Sequence, residues 1–130
     1  MSSSVSHVLT ATTADDEDQA HFVVDPTDEC ALVRASGEID IATSPRLFDA
    51  LLVAVDRCPR VVVDMGEVTF VDSTGLNVLV SGLHHARGQQ GDLALVGPAG
   101  IVRNALHVTG LHRLFVIRDS VEEASSAIAR

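Results

Sequence analysis

Apolar positions along the chain fall into alternating short extended runs and helical stripes. His21 to Val24 and Cys30 to Ser36 are two short extended runs separated by Asp25-Pro26-Thr27-Asp28, which predicts a β-hairpin closed by a Pro-containing turn. Thr43-Ser44-Pro45 reads as an N-cap with Pro in the first turn, and Phe48, Leu51, Leu52 and Val55 then lie on one helical face that stops before Pro59. Val61-Val62-Val63 is an unbroken β-branched run, the pattern of a strand covered on both faces. A second extended piece ends at Phe70 and Val71. From Leu76 the period changes: Leu76, Leu79, Val80 and Leu83 recur at i, i+3, i+4 and i+7, a helix running to about Gly88. Leu93 to Val96 is another buried strand. Pro98 opens a helix carrying Ile101, Val102, Ala105 and Leu106, with Gly110 as its C′ residue. Phe115 to Ile117 is a last short strand. Val121, Ala124, Ser125 and Ile128 form a closing helix capped by Asp119 or Ser120. Strands alternating with helices predict an α/β domain with a mixed, mostly parallel sheet, an N-terminal antiparallel hairpin and about four helices.

The junction at Asp72-Ser73-Thr74-Gly75 carries more than this pattern requires. Asp72 or Ser73 at the N-cap takes up one unpaired helix N–H. A single oxygen suffices for that, yet a carboxylate and two hydroxyls stand together. A helix N-terminus favours added negative charge, so a Ser there is suited to carry a phosphate. The junction also follows the carboxyl end of a strand, where open α/β sheets place their sites.

Three segments, Gly37 to Pro45, Phe70 to Leu76 and Leu106 to Leu111, resemble in order and separation the STAS-domain anti-sigma factor antagonists of bacteria. The resemblance extends from about Val23 to the C-terminus. It implies a STAS domain over residues 21–130 that binds an anti-sigma factor, itself an ATP-dependent serine kinase, and thereby frees a sigma factor. It further implies phosphorylation at the Ser after the Asp, here Ser73, with Thr74 as the lesser alternative, and reversal by a separate serine phosphatase. Asp40, Asp72, Ser73, Thr74, Gly75 and Asn77 are then the expected partner-binding residues. The alternative is a STAS scaffold or sensor module that binds a partner or small molecule and is never phosphorylated. Asn77 stands where many members have Gly, and Gly91-Asp92 where Gly-Gly is common, which bears on which partner is recognised.

Composition narrows the remaining classes. The 130 residues suffice for one domain with its own core. That core must be aliphatic, because aromatics make up only 3% and Trp and Tyr are absent. A net charge of -9 with so few aromatics argues against direct nucleic-acid binding, which needs a positive field and stacking platforms. All nine basic residues are Arg. Without Lys, neither a P-loop nor a Schiff base nor a phospho-receiver site can be built by its usual chemistry. Cys30 and Cys58 lack zinc spacing, and Cys30 reads as a small core residue. No cofactor or metal is implied. No signal peptide is visible, and no apolar stretch approaches the roughly 18–20 residues that span a bilayer, so a cytoplasmic protein without membrane contact is expected.

A hydrolase reading needs a base beside Ser73. His84 lies eleven residues along the same helix, about 16 Å away at 1.5 Å per residue, far beyond hydrogen-bond reach. Spacing alone does not decide His107 or His112. The pattern Gly-x-Ser-x-Gly is missing, and the neighbours His84 and His85 diverge by about 100° on a helix, so they do not converge on a metal. No enzymatic activity is expected. Residues 1–20, with the acidic run Asp15-Asp16-Glu17-Asp18 among Ser and Thr, show no period and read as a disordered leader.

Overall fold

The computed structural model describes residues 20–27 and 29–129. Its five strands are β1 (Ala20–Pro26), β2 (Ala31–Ile39), β3 (Arg60–Val71), β4 (Asp92–Val96) and β5 (Val116–Arg118). Four helices join or follow them: α1 (Ser44–Arg57), α2 (Ser73–Gly88), α3 (Gly100–Val108) and α4 (Val121–Ala127). The strands form one sheet in the order β1-β2-β3-β4-β5, antiparallel between β1 and β2 and parallel elsewhere. The expected α/β class and opening hairpin are both found. Ala20, placed in the leader by pattern alone, belongs to β1 and is fully buried; the rest of the leader lies outside the described residues.

β3 is the middle strand, and Val61, Val62 and Val63 are fully buried as a two-faced strand requires. Val61 and Val63 join the large cluster with α1, α2 and α3, whereas Val62 packs with Ala124 and Ile128 near α4 on the other face. Asp64, the next residue of the strand, is partly exposed and faces Arg34 at 3.6 Å, because an unpaired carboxylate is too costly to bury.

The two extended pieces around Val61 and Phe70 prove to be one twelve-residue strand. β2 advances from Arg34 to Ser36 while β3 advances from Asp64 to Glu67, and from Gly37 to Glu38 while β3 advances from Val68 to Phe70. Each irregularity puts one extra residue in β3. Its buried positions thus shift from consecutive to every third residue, Met65, Val68 and Val71, a spacing that matches no strand period.

α1 is rotated from the expected face. Leu47, Ala50, Leu51, Ala54 and Val55 are buried, while Phe48 and Leu52 are only partly covered. The small residues bring α1 close to its neighbours, and Gly82 on α2 completes the fit, since a Cβ there would stand 2.7 Å from Leu51 Cδ1. Thr43 occupies the N-cap position of α1 without capping it. Ser120 does cap α4, accepting from the Glu123 N–H at 3.1 Å. Gly110 follows α3 with φ 78°, the left-handed residue its composition predicted. Cys30 is buried in the α4 cluster, and both cysteines are free.

Candidate functional site

Ile39 and Val71 are register partners at the carboxyl ends of β2 and β3, so Asp40 and Asp72 leave the sheet side by side. The Asp72 N–H donates to the Ile39 carbonyl at 3.0 Å, extending the ladder one step into the junction. Asp40 closes a turn: its carboxylate accepts from the N–H groups of Ala42 at 3.0 Å and Thr43 at 3.1 Å. Thr43 pins the same loop from inside. Its hydroxyl, fully buried, donates to the Glu38 carbonyl at 2.9 Å and accepts from the Asp40 N–H at 2.9 Å. That is why it does not cap α1.

Asp72 is the N-cap of α2. One carboxylate oxygen accepts from the Gly75 N–H at 3.0 Å and from the Thr74 hydroxyl at 2.5 Å. Partial burial pushes this carboxyl up. Hydrogen bonds from the Thr74 hydroxyl, the Gly75 and Thr74 N–H groups and the Ile41 N–H outweigh it, holding Asp72 below its ordinary value. The carboxylate is therefore ionised at neutral pH and already occupies the anion position of the helix end.

Ser73, the first residue of α2, is exposed, and its hydroxyl has no hydrogen-bond partner among the described residues. Thr74 is partly covered and its hydroxyl is engaged by Asp72. Asn77, one turn on, is exposed on the same side as Ser73. Gly75 is different. A Cβ there would lie 2.6 Å from Ile39 Cγ2 and 2.7 Å from Val71 Cγ2, so packing within the domain itself requires glycine at this position. Being buried, Gly75 shapes the junction from beneath and is no part of its outer surface.

Among the described residues no base is hydrogen-bonded to the Ser73 hydroxyl. His84 is exposed and His85 partly packed, as their helical positions require. His107 and His112 stack on each other, centroids 3.9 Å apart, and neither engages Ser73. Among the described residues no group of His, Cys, Asp and Glu could hold a metal, and no helix is long and apolar enough to cross a membrane.

The residue pattern did not reveal a groove of about 370 Å³ between the β3–α2 junction and α3. Phe70, Ser73 and Leu76 line one side; Ile101, Asn104 and Val108 line the other. Ile101, assigned to the packed face of α3, is 59% exposed, and Val108 is 77% exposed. The signal that could have found it is an apolar stripe too wide to bury: five of the nine α3 residues are Ile, Val, Ala or Leu, yet only Val102 and Leu106 are buried.

This arrangement coincides with a known family, since the STAS domain profile matches residues 21–124. The chain belongs to the STAS domain family. It is 34% identical over 85 residues to an anti-sigma-B factor antagonist of Listeria monocytogenes, covering 65% of this chain and 75% of that one. A crystal structure of an anti-sigma factor antagonist from Mycobacterium paratuberculosis superposes with a TM-score of 0.76 at 30% identity, covering 86% of this STAS chain and 96% of that one. Bacillus SpoIIAA in its phosphorylated form shares the fold, with a TM-score of 0.65 at 19% identity over 82% of this chain and 97% of that one.

Proposed function

We propose that this STAS protein is an anti-sigma factor antagonist switched by phosphorylation of Ser73. Unphosphorylated, it binds an anti-sigma factor of the ATP-dependent serine-kinase type in the cytoplasm and so frees a sigma factor. In the complex the Ser73 Oγ attacks the γ-phosphorus of ATP held by the partner as the bond to the ADP oxygen breaks; the hydroxyl proton passes to solvent, ADP leaves, and the phosphoserine ends the binding. A serine phosphatase hydrolyses the ester and restores the antagonist. The protein itself acts by binding, not by catalysis.

The observation that carries this reading is the contrast between neighbouring hydroxyls. Thr74 is spent on Asp72, while Ser73 stands exposed and unengaged beside the ends of β2 and β3. A phosphoacceptor needs a reachable oxygen, and a capping residue does not leave one. Relatives named as anti-sigma factor antagonists supply the class of partner.

The test is incubation with ATP and each kinase-type anti-sigma factor of the same genome, followed by mass spectrometry. One phosphate on Ser73, removed by a serine phosphatase, is the expected result. Stable binding with no phosphate on any residue would favour a STAS scaffold and overturn the switch.

A further inference from the structure

α4 covers only part of its face of the sheet. Ala124 and Ile128 pack with Leu32 and Val62. Two residues further along each strand the same face is open and carries Arg34 and Asp64. There β1, β2 and β3 form a cavity of about 150 Å³. Two cross-strand rows build it, Val23–Arg34–Asp64 and His21–Ser36–Glu67, each residue the register partner of the next. Asp64 and Glu67 stand three apart, which in an unbroken strand turns them to opposite faces. The extra residue of β3 between them brings both to this one.

The polar groups are sorted by strand. β2 presents donors, the Arg34 guanidinium and the Ser36 hydroxyl, and β3 presents acceptors, the Asp64 and Glu67 carboxylates. Little of this capacity is used within the domain. Arg34 meets Asp64 at 3.6 Å, longer than a hydrogen bond. The Ser36 hydroxyl and the Glu67 carboxylate have no hydrogen-bond or ion-pair partner among the described residues. Asp64 alone is held in place: one oxygen accepts from the Gly66 N–H at 3.0 Å, which leaves the other facing Arg34.

We propose that this cavity binds a free α-amino acid. The ligand carboxylate accepts from the Arg34 guanidinium and the Ser36 hydroxyl, and the ligand ammonium donates to Glu67 and to the outer oxygen of Asp64. Adjacent strands stand about 4.8 Å apart, so donors and acceptors face each other across one strand spacing. A ligand that answers both rows must carry its cation and its anion close together, and in a free α-amino acid both hang on one carbon. A peptide separates them. A simple amine leaves Arg34 idle, and a simple carboxylate meets two like charges. Bonds in which both partners are charged are the strong ones. Val23 offers the apolar contact for a short ligand side chain. The site lies on the face of the sheet away from α2 and does not include Ser73, so it stands apart from the switch proposed above.

The test uses the full chain as wild type, Arg34→Gln, Glu67→Gln and, on α4 away from the cavity, Glu122→Gln. Calorimetric titration and thermal shift are run with the proteinogenic L-amino acids one by one, with propionate and with ethylamine. The expected result is saturable binding of at least one amino acid with a raised Tm, and no binding of propionate or ethylamine. Arg34→Gln and Glu67→Gln each weaken that Kd by about tenfold or more, and Glu122→Gln keeps it. Circular dichroism verifies that the variants are folded, since all three side chains are already exposed. A folded wild type that binds no amino acid overturns the proposal. A Kd unchanged in Arg34→Gln or in Glu67→Gln places the ligand elsewhere and overturns it too. Propionate or ethylamine bound as tightly as the amino acid shows that one row suffices, and overturns the pairing of donors with acceptors.

Discussion

The Thr74 hydroxyl donates to the Asp72 carboxylate at 2.5 Å, and this one bond distinguishes two adjacent hydroxyls. Thr74 is held inward as part of the helix cap; Ser73 is left outside it. Ser73→Ala is therefore expected to abolish phosphate incorporation by the cognate kinase, whereas Thr74→Val retains it on Ser73. Site-resolved mass spectrometry of the two variants decides, and a phosphate on Thr74 in the Ser73→Ala protein would contradict the assignment.

Asp72 ties the site to stability. Asp72→Ala removes an N-cap and is expected to cost about 1 kcal/mol, while Asp72→Asn, which still caps, costs less. For a domain of this size 1 kcal/mol lowers Tm by about 3–5 °C. Folding depresses the Asp72 pKa. Its contribution is thus present above the unfolded carboxylate pKa and is lost as pH falls through the lower folded value. The Tm gap between wild type and Asp72→Ala should accordingly be widest near neutrality and shrink toward pH 3. A gap that widens in acid would reverse the sign of this argument.

Phosphorylation should act on binding and leave the fold alone. A free helix N-terminus would favour the added charge by about 0.3–1 kcal/mol. Here the Asp72 carboxylate already takes up the Gly75 N–H, so part of that gain is absent. Phosphoserine at 73 is expected to leave Tm within about 2 °C of the unmodified protein. Binding to the anti-sigma factor should weaken by about a hundredfold or more, the consequence of burying an uncompensated charge. Calorimetry on both forms measures both numbers, and equal affinities would sink the mechanism.

Gly75 can be tested apart from any partner. A methyl group at this position must displace Ile39 Cγ2 and Val71 Cγ2, which would stand 2.6 and 2.7 Å away. Overpacking of this kind costs about 1–3 kcal/mol. Gly75→Ala is expected to lower Tm by several degrees and to shift the ends of β2 and β3. Unchanged stability together with lost partner binding would instead return Gly75 to the outer surface.

Much of this molecule follows from local pattern. The 3.6-residue stripe of α2, the β-branched run at Val61 to Val63, Gly110 after α3 and Ser120 before α4 each express a local preference that the packed structure retains. The Asp-Ser-Thr-Gly junction was legible for the same reason: a capping carboxylate, a strand before it and a stripe after it are features of consecutive residues. Three further features are encoded by no local period, and the first two depend on contacts between distant segments. The two extra residues in β3 exist only relative to β2, and they set where Asp72 leaves the sheet. The face α1 presents was decided by small residues that fit Gly82 on another helix, not by the largest apolar side chains. Thr43 was drawn from capping duty because the Glu38 carbonyl and Asp40 N–H, brought back by the turn, engaged its hydroxyl first. The sequence by itself determined the elements, since they rest on near neighbours in the chain, and its resemblance to a known family pointed to Ser73 as the phosphoacceptor candidate. Which hydroxyl is free depends on a bond between near neighbours, Thr74 to Asp72, whose geometry the residue pattern left open; the tertiary structure alone decided that an apolar groove lies against Ser73, because α3 meets the β3–α2 junction only after the sheet has formed.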